Sequence, residues 1–239
     1  MRKIENEPEK FYDTYANFRE YETPEIRKKH LRQFRQNYWK NCEFFREMSV
    51  LEIGCGTGLF LKYLQTEGVT DLFGIDKDSH IKQTLPDDLI NKVEVIDVNE
   101  YLNELPTDKA FDRILLIDVL EHFNANQGAI LLNRLRNRLK TSGGIVVKVP
   151  NNSSPWGAGY QHGDLTHKSA YNSNSLRQLG HQVGLDCQVF PHRIGNPRKQ
   201  ILEKIFHSAI ELFLTERPEF WSANIIGYFT QKPDDFKCV

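Results

Sequence analysis

Nine residues, Val50-Leu51-Glu52-Ile53-Gly54-Cys55-Gly56-Thr57-Gly58, constrain this chain more than any other stretch. An apolar run carrying one carboxylate, Glu52, passes into three glycines at alternate positions. A second apolar run, Leu59 to Leu64, follows with helix-compatible composition. Glycine has no Cβ and tolerates φ > 0, so such a turn lets a ligand lie directly against backbone. Strand, glycine turn and helix in that order describe a cofactor cradle rather than an ordinary loop.

The rest of the chain supplies the sheet such a cradle needs. Short apolar runs at 49–53, 72–75, 93–96, 113–117 and 145–149 read as strands, separated by longer amphipathic segments. The spacing predicts a helix over 127–140, with Ile130, Leu131, Leu135 and Leu139 on one side and Gly143-Gly144 as its stop. Strand–helix alternation of this kind implies a mostly parallel sheet covered on both faces. Beyond Pro150 a polar loop (151–172) leads to a helix at 174–183, a strand at 185–190, an amphipathic helix at 199–214 and a strand at 224–230. The last two strands are expected to form an antiparallel edge. Residues 1–47 are expected to be an N-terminal helical cap, with 8–47 helical. Phe11, Tyr12, Tyr15 and Phe18 share one of its faces, and a solvated basic face carries Arg27, Lys28, Lys29, Arg32 and Arg35. The main domain then covers 48–232, and 233–239 is a tail.

Composition sets outer bounds. At 239 residues there is room for one large domain with a cap, and 39% hydrophobic with 26% charged residues describes a soluble globular chain. A net charge of −1 argues against nucleic acid as a partner. Cys42, Cys55, Cys187 and Cys238 form no CxxC pair, and no secretory signal or membrane-spanning run is visible. The expectation is a cytoplasmic monomer or homodimer with reduced thiols and no transmembrane segment, peripheral membrane contact remaining open.

Acidic residues mark four successive strand ends: Glu52, Asp76, Asp97 and Asp118. Any one of them can be a turn residue or helix cap. Four behind a glycine turn suggest a ligand site at the carboxyl edge of the sheet. Asp76 lies where a carboxylate reaches ribose hydroxyls, about twenty residues past the glycines. A dinucleotide fingerprint would read GxGxxG, whereas this chain has GxGxG with Leu59 in the third glycine's place. Glu52 ahead of the turn suits a cationic amino-acid group better than a phosphate. Ribose, adenine, an ammonium and a sulfonium occur together in S-adenosylmethionine.

These segments, together with Gly-Ile-Asp at 74–76, Val-Ile-Asp-Val at 95–98 and the run Phe111 to Phe123, resemble successive motifs of class I S-adenosylmethionine-dependent methyltransferases. Leu139 to Gly144 is similar to the family's segment before the fifth strand, with Thr141-Ser142 replacing the usual Pro-Gly. The resemblance covers about residues 45–230. It implies an α/β fold, the three-layer seven-stranded Rossmann-like methyltransferase sheet, mostly parallel with an antiparallel last strand. It also implies that Gly54, Gly56 and Gly58 meet the methionine and ribose, with Cys55 filling the turn. Asp76, followed by Lys77, would bind the ribose hydroxyls, Asp97 and Val98 the adenine edge, and Asp118 would lie near the reacting methyl.

Methyl transfer from a sulfonium is an in-line displacement, so the protein must align the acceptor and, for a hydroxyl, remove a proton. Two histidine clusters stand on the loops above the sheet. His122 in Asp118-Val119-Leu120-Glu121-His122 either packs beneath the cofactor or acts as the base. Asp118, Glu121 and His122 also offer metal donors, and some quinone-type O-methyltransferases resembling this motif bind a divalent ion here. Catechol-type enzymes use an Asp-Asn pair after the fifth strand. This chain has Asn151-Asn152, and no metal is expected. The second cluster runs His162-Gly163-Asp164-Leu165-Thr166-His167. It is similar to segments of methyltransferases associated with bacterial surface polysaccharides. His167 would be the base and Asp164 would orient its imidazole; alternatively Asp164 and Thr166 make only local turn bonds. Tyr12 and Tyr15 of the cap, with Trp156, Tyr160 and Tyr171 of the loop, are the candidate acceptor contacts. The broad apolar surface of 199–214 is expected to pack on the sheet or form a dimer contact, or to rest in a bilayer interface. The expected activity is O-methylation of a sugar nucleotide or glycan intermediate. The alternatives are a lipid-quinone or phenolic O-methyltransferase, a cofactor-binding pseudo-enzyme scaffold, or a dinucleotide oxidoreductase.

Overall fold

A computed structural model describes residues 22–232; Phe11, Tyr12, Tyr15, Phe18 and the tail 233–239 lie outside the described residues. Strands β1 (Ser49–Ile53), β2 (Asp71–Asp76), β3 (Val93–Val95), β4 (Phe111–Ile117), β5 (Leu139–Pro150), β6 (Leu185–Pro191) and β7 (Asn224–Gln231) form one sheet in the order β3-β2-β1-β4-β5-β7-β6. β1 pairs in parallel with β2 on one side and β4 on the other. The strand order therefore reverses at β1, and the crevice between the β1 and β4 ends is where an open sheet of this type holds a ligand. β7 pairs antiparallel with both β5 and β6. It is the one reversed strand of the sheet, and it lies inside it, with β6 at the edge.

All five β1 residues are buried, as expected for a central parallel strand covered on both faces. Leu51 and Ile53 face one apolar layer, with Ile114, Leu116, Ile145 and Val147 and the helices α3 (Val98–Glu104), α4 (Ala125–Arg136) and α6 (Ser173–Gln182). Val50, Leu115 and Val146 face the other, against Phe60, Leu61 and Leu64 of α2 (Leu59–Glu67). Tyr38 extends that second layer. It follows α1 (Lys28–Phe34) in a π-helical turn, Arg35–Trp39, and packs edge-on to Phe60 with ring centroids 4.9 Å apart. Two further helices are α5 (Ala158–His162) and α7 (Pro197–Glu211). No helix of the described residues is long and apolar enough to cross a membrane.

Three expectations need correction. The N-terminal segment is helical only over 28–39 among its described residues, and 40–48 is turns leading into β1. The helix expected over 127–140 is α4, which begins behind a reciprocal Asn124/Gln127 cap and ends at Arg136. Leu139 pairs with Phe111 as the first residue of β5, and a register irregularity follows. Gly143 and Gly144 consequently lie within a strand. A Cβ on Gly144 would collide with the Tyr228 ring, so that glycine permits close strand packing rather than stopping a helix. The helix expected over 199–214 is α7. It does not pack on the sheet: Ile201, Leu202, Ile205 and Phe206 all point to solvent, and His207 is its one buried residue.

Candidate functional site

The glycine turn closes against β2, with the Gly54 and Cys55 N–H groups donating to the Ile75 carbonyl at 2.8 and 3.1 Å. Gly54, Gly56 and Gly58 all have left-handed φ, at +67°, +51° and +80°. Their surroundings differ. A Cβ on Gly54 would run into Val119, and one on Gly58 would lie 2.7 Å from Leu89, whereas one on Gly56 would meet nothing within 4 Å. Gly56 thus presents an open backbone surface flanked by two tightly packed neighbours. The Cys55 side chain points the other way, toward Gly74, and burial pushes its thiol well above the usual range.

Asp76 ends β2 with both oxygens engaged: Oδ2 accepts from Gly56 N–H at 2.8 Å and Oδ1 from Asp78 N–H at 2.9 Å. The same carboxylate that leaves the sheet edge therefore shapes the turn. Burial raises its pKa, and the two N–H donors hold it partly down. Lys77 is exposed beside it. Glu52 is 3% exposed beneath the turn. Burial and the Asp76 charge push it well above the usual carboxylate range, with the Leu61 N–H opposing. Its Oε2 has no hydrogen-bond partner among the described residues. Asp97 caps α3, its Oδ1 accepting from Asn99 N–H at 2.7 Å, and Val98 is buried behind it. Asp118 follows β4 with φ +57°, an uncommon value for a residue other than glycine, and accepts from the Lys148 ammonium at 2.6 Å.

The two histidine clusters meet. His122 and His167 lie edge to face with ring centroids 4.8 Å apart. The Thr166 hydroxyl donates to Asp164 Oδ1 at 2.5 Å, and its oxygen lies 2.9 Å from His122 Nδ1. With its one proton on Asp164, the Thr166 hydroxyl oxygen is placed to accept from His122 Nδ1, and a Thr166 backbone group also bonds the imidazole. Burial and the neighbouring His167 push His122 down to about 4, keeping it neutral at physiological pH. His167 Nδ1 donates to the Gln161 carbonyl at 2.9 Å. Asp164 is 4.0 Å from His167 Nε2, beyond a hydrogen bond. Asp164 thus lies within ion-pair distance of His167 and also reaches His122 through the Thr166 hydroxyl. Glu121 is buried below, pushed up to about 8 by burial and by the Asp118 charge. Donor atoms of Glu121, His122 and His167 all lie within 4.8 Å of one another. This differs from the Asp118, Glu121 and His122 set seen in the sequence.

Of the loop aromatics, Trp156 and Tyr160 are about half exposed at 48% and 52%, and Trp156 Nε1 donates to His207 Nε2 at 3.1 Å. Tyr171 is buried in the core and bridges to Asn151, so it is a structural member of the loop rather than an acceptor-facing surface. Tyr12 and Tyr15 lie outside the described residues. Sequence reasoning missed Lys148 and Tyr38. Lys148 was signalled only by being a lone cation in the apolar run 145–149. Tyr38, 1% exposed, has its hydroxyl pKa raised by burial and by the Asp118 and Glu52 charges. It lies in a segment read as a cap, yet the charges at the ends of β1 and β4 reach it.

Comparison with known proteins agrees with this geometry. Residues 18–188 match the family model described as a methyltransferase domain. The fold superposes on an S-adenosylmethionine-dependent methyltransferase of Archaeoglobus fulgidus with a TM-score of 0.66 at 20% identity, covering 92% of this chain and all of that one. It also superposes on the plantazolicin methyltransferase BpumL, crystallised with SAH, with a TM-score of 0.56 at 17% identity, covering 94% of this chain and 90% of that one. Among curated sequences, the ubiquinone biosynthesis O-methyltransferase of Rickettsia bellii is 28% identical over 106 residues. That match spans 44% of this chain and 43% of the relative's length, so it reaches less than half of either. The open glycine turn, the strand-end carboxylates and the matched family model together identify the chain as a member of the class I methyltransferase-domain family, an enzyme whose cofactor is S-adenosylmethionine.

Proposed function

We propose that the enzyme methylates a hydroxyl group of a small-molecule acceptor, with His122 as proton acceptor. The Asp164–Thr166–His122 hydrogen-bond chain carries this reading, because it orients an imidazole that burial keeps neutral. The residues present fit S-adenosylmethionine, which supplies an electrophilic methyl on sulfur. The open face of Gly56 and the remaining lone pairs of Asp76 suit the ribose. Asp97 and Val98 suit the adenine edge. Glu52, with an unpartnered Oε2, suits the ammonium end. Bound cofactor would supply the methyl electrophile and its sulfur the leaving group, and His122 would take the proton that the acceptor hydroxyl loses. His167, edge-on to His122, limits where the acceptor oxygen can stand.

A phenolic or quinone-type hydroxyl is the acceptor class favoured by the Rickettsia relatives, which are named ubiquinone biosynthesis O-methyltransferases. The Glu121, His122 and His167 donor set, which suits a divalent ion as well as a proton relay, supports the same class. A sugar or glycan hydroxyl is the second reading, supported by the half-exposed Trp156 and Tyr160 on the loop.

The test is S-adenosylhomocysteine release with phenolic and sugar-nucleotide acceptors, with and without chelator. His122→Ala is expected to keep cofactor affinity and lose about 10²-fold in turnover, the usual size of a proton-transfer contribution. Thr166→Val, which removes the relay, should lose about tenfold. Full turnover in both variants would sink the assignment. Loss on chelation that added divalent ion restores would make the cluster a metal centre.

A further inference from the structure

The apolar side of α7 is turned away from the protein. Gln200, His207 and Glu211, seven and four residues apart, mark the inward face. Gln200 bonds Gln36, His207 stacks on Trp221 with centroids 4.7 Å apart, and Glu211 accepts from Trp221 and Arg217. The opposite side carries Ile201, Leu202, Ile205 and Phe206, followed by Leu212 and Phe213 beyond the helix end. Their exposures run from 53% for Phe206 to 87% for Phe213. Single exposed apolar residues need no explanation, but a contiguous face of six does.

Charge decides what covers it. Arg198, Lys199 and Lys204 are exposed on the same helix. The loop before it is tied to the N-terminal helical segment. Asn37 and Arg193 exchange two bonds of 2.8 Å, and Gln36 bonds Gln200 at 2.9 Å. That segment holds six Lys or Arg residues and no acid between 27 and 40, and residues 193–204 hold four against the single acid Glu203. The whole chain has a net charge of −1, so this cationic excess is balanced mainly outside the two segments, with Arg35 paired to Glu67 and Arg27 to Glu25. An isologous dimer through α7 would cover the apolar side chains but would leave the cations of 27–40 without a role in the contact. An anionic lipid surface would accept both the cations and the apolar side chains.

We propose that α7 docks the enzyme on an anionic membrane, its apolar face in the interface and the cations of 27–40 and 193–204 over lipid headgroups. Trp156, bonded to His207 on the inward side, then places the 151–172 loop next to the bilayer, so that an acceptor dissolved in or anchored to lipid reaches the histidine cluster from the membrane side. The docking stands on α7 and its charge setting, and the access route alone rests on a lipid-associated acceptor.

The full chain is tested by flotation with phosphatidylcholine vesicles with and without phosphatidylglycerol. Binding is expected to the phosphatidylglycerol vesicles, at least tenfold weaker to phosphatidylcholine alone and weakened by high salt. The double variant Ile205→Glu/Phe206→Glu should lose at least tenfold in vesicle affinity, and Arg198→Glu/Lys199→Glu a comparable amount. Both alter exposed side chains, so the thermal shift produced by S-adenosylmethionine should be unchanged, a readout that reports the cofactor site separately. Absence of wild-type binding, or undiminished binding by the apolar double variant, overturns the proposal. So does a wild-type dimer in light scattering that Ile205→Glu/Phe206→Glu converts to monomer, or cross-linking of lipid-free α7 to residues 1–21; either would assign the face to a protein occupant.

Discussion

Glu52 shows how one buried carboxyl can couple ligand charge to proton binding. Beneath the glycine turn, burial and Asp76 hold its pKa far up, so the ligand-free folded protein keeps a proton that an unfolded chain releases above about pH 4.3. The sign follows: wild-type stability falls as pH rises from that value through the folded pKa, and Glu52→Gln escapes this loss. Thermal melts from pH 5 to 8 should show the variant gaining steadily on wild type. A cationic cofactor reverses the balance by favouring the carboxylate. Calorimetry in buffers of different ionisation enthalpy should record net proton release on S-adenosylmethionine binding that is smaller in Glu52→Gln. The residues at this site were readable because each belongs to a local pattern: glycines at alternate positions and acids at strand ends. Tyr38 and Lys148 were not. Nothing near either in the chain indicates that it will face Asp118, 80 and 30 positions distant respectively in the numbering.

At the scale of elements, apolar periodicity located every strand, because strands buried on both faces carry unbroken apolar runs. It misjudged where α4 gives way to β5. Leu139 keeps the helical spacing of Leu131 and Leu135, yet it pairs with Phe111, since β4 offers ladder partners that outweigh further helix. The two glycines after it serve packing. Gly144→Ala would force a Cβ into the Tyr228 ring and should destabilise the fold by about 1–3 kcal/mol in urea titration, the usual cost of overpacking. In a Tyr228→Leu background that penalty should shrink, and an undiminished penalty would contradict the steric account. The outward face of α7 shows the reverse limit. Its apolar breadth was visible in the sequence, but amphipathic spacing alone does not say which way a helix is turned.

For the molecule as a whole, the N-terminal segment and the α7 end of the chain behave as one side of the site. Asn37, 1% exposed, gives and takes a bond with the Arg193 backbone, and the adjacent Tyr38 packs on Phe60 of α2, the helix that leaves the glycine turn. Asn37→Ala leaves two backbone groups unpaired and should cost about 1–3 kcal/mol for each that stays dry. It should also weaken S-adenosylmethionine binding by freeing Tyr38; calorimetry finding full affinity with reduced stability would confine Asn37 to a structural role. Much was determined by the sequence itself: an α/β sheet, a glycine cradle, its strand-end acids and the cofactor they suit. These follow from short-range rules, since strand burial, turn φ and the spacing of a carboxylate from a turn are set within about thirty residues. Only the tertiary structure decided that His122 and His167 form one cluster with Asp164 acting through Thr166. It also decided that β7 inserts beside β5 and that α7 presents its apolar side outward. Each of these depends on which distant segments share a crevice or an edge, a matter of packing and charge between elements that no local pattern encodes.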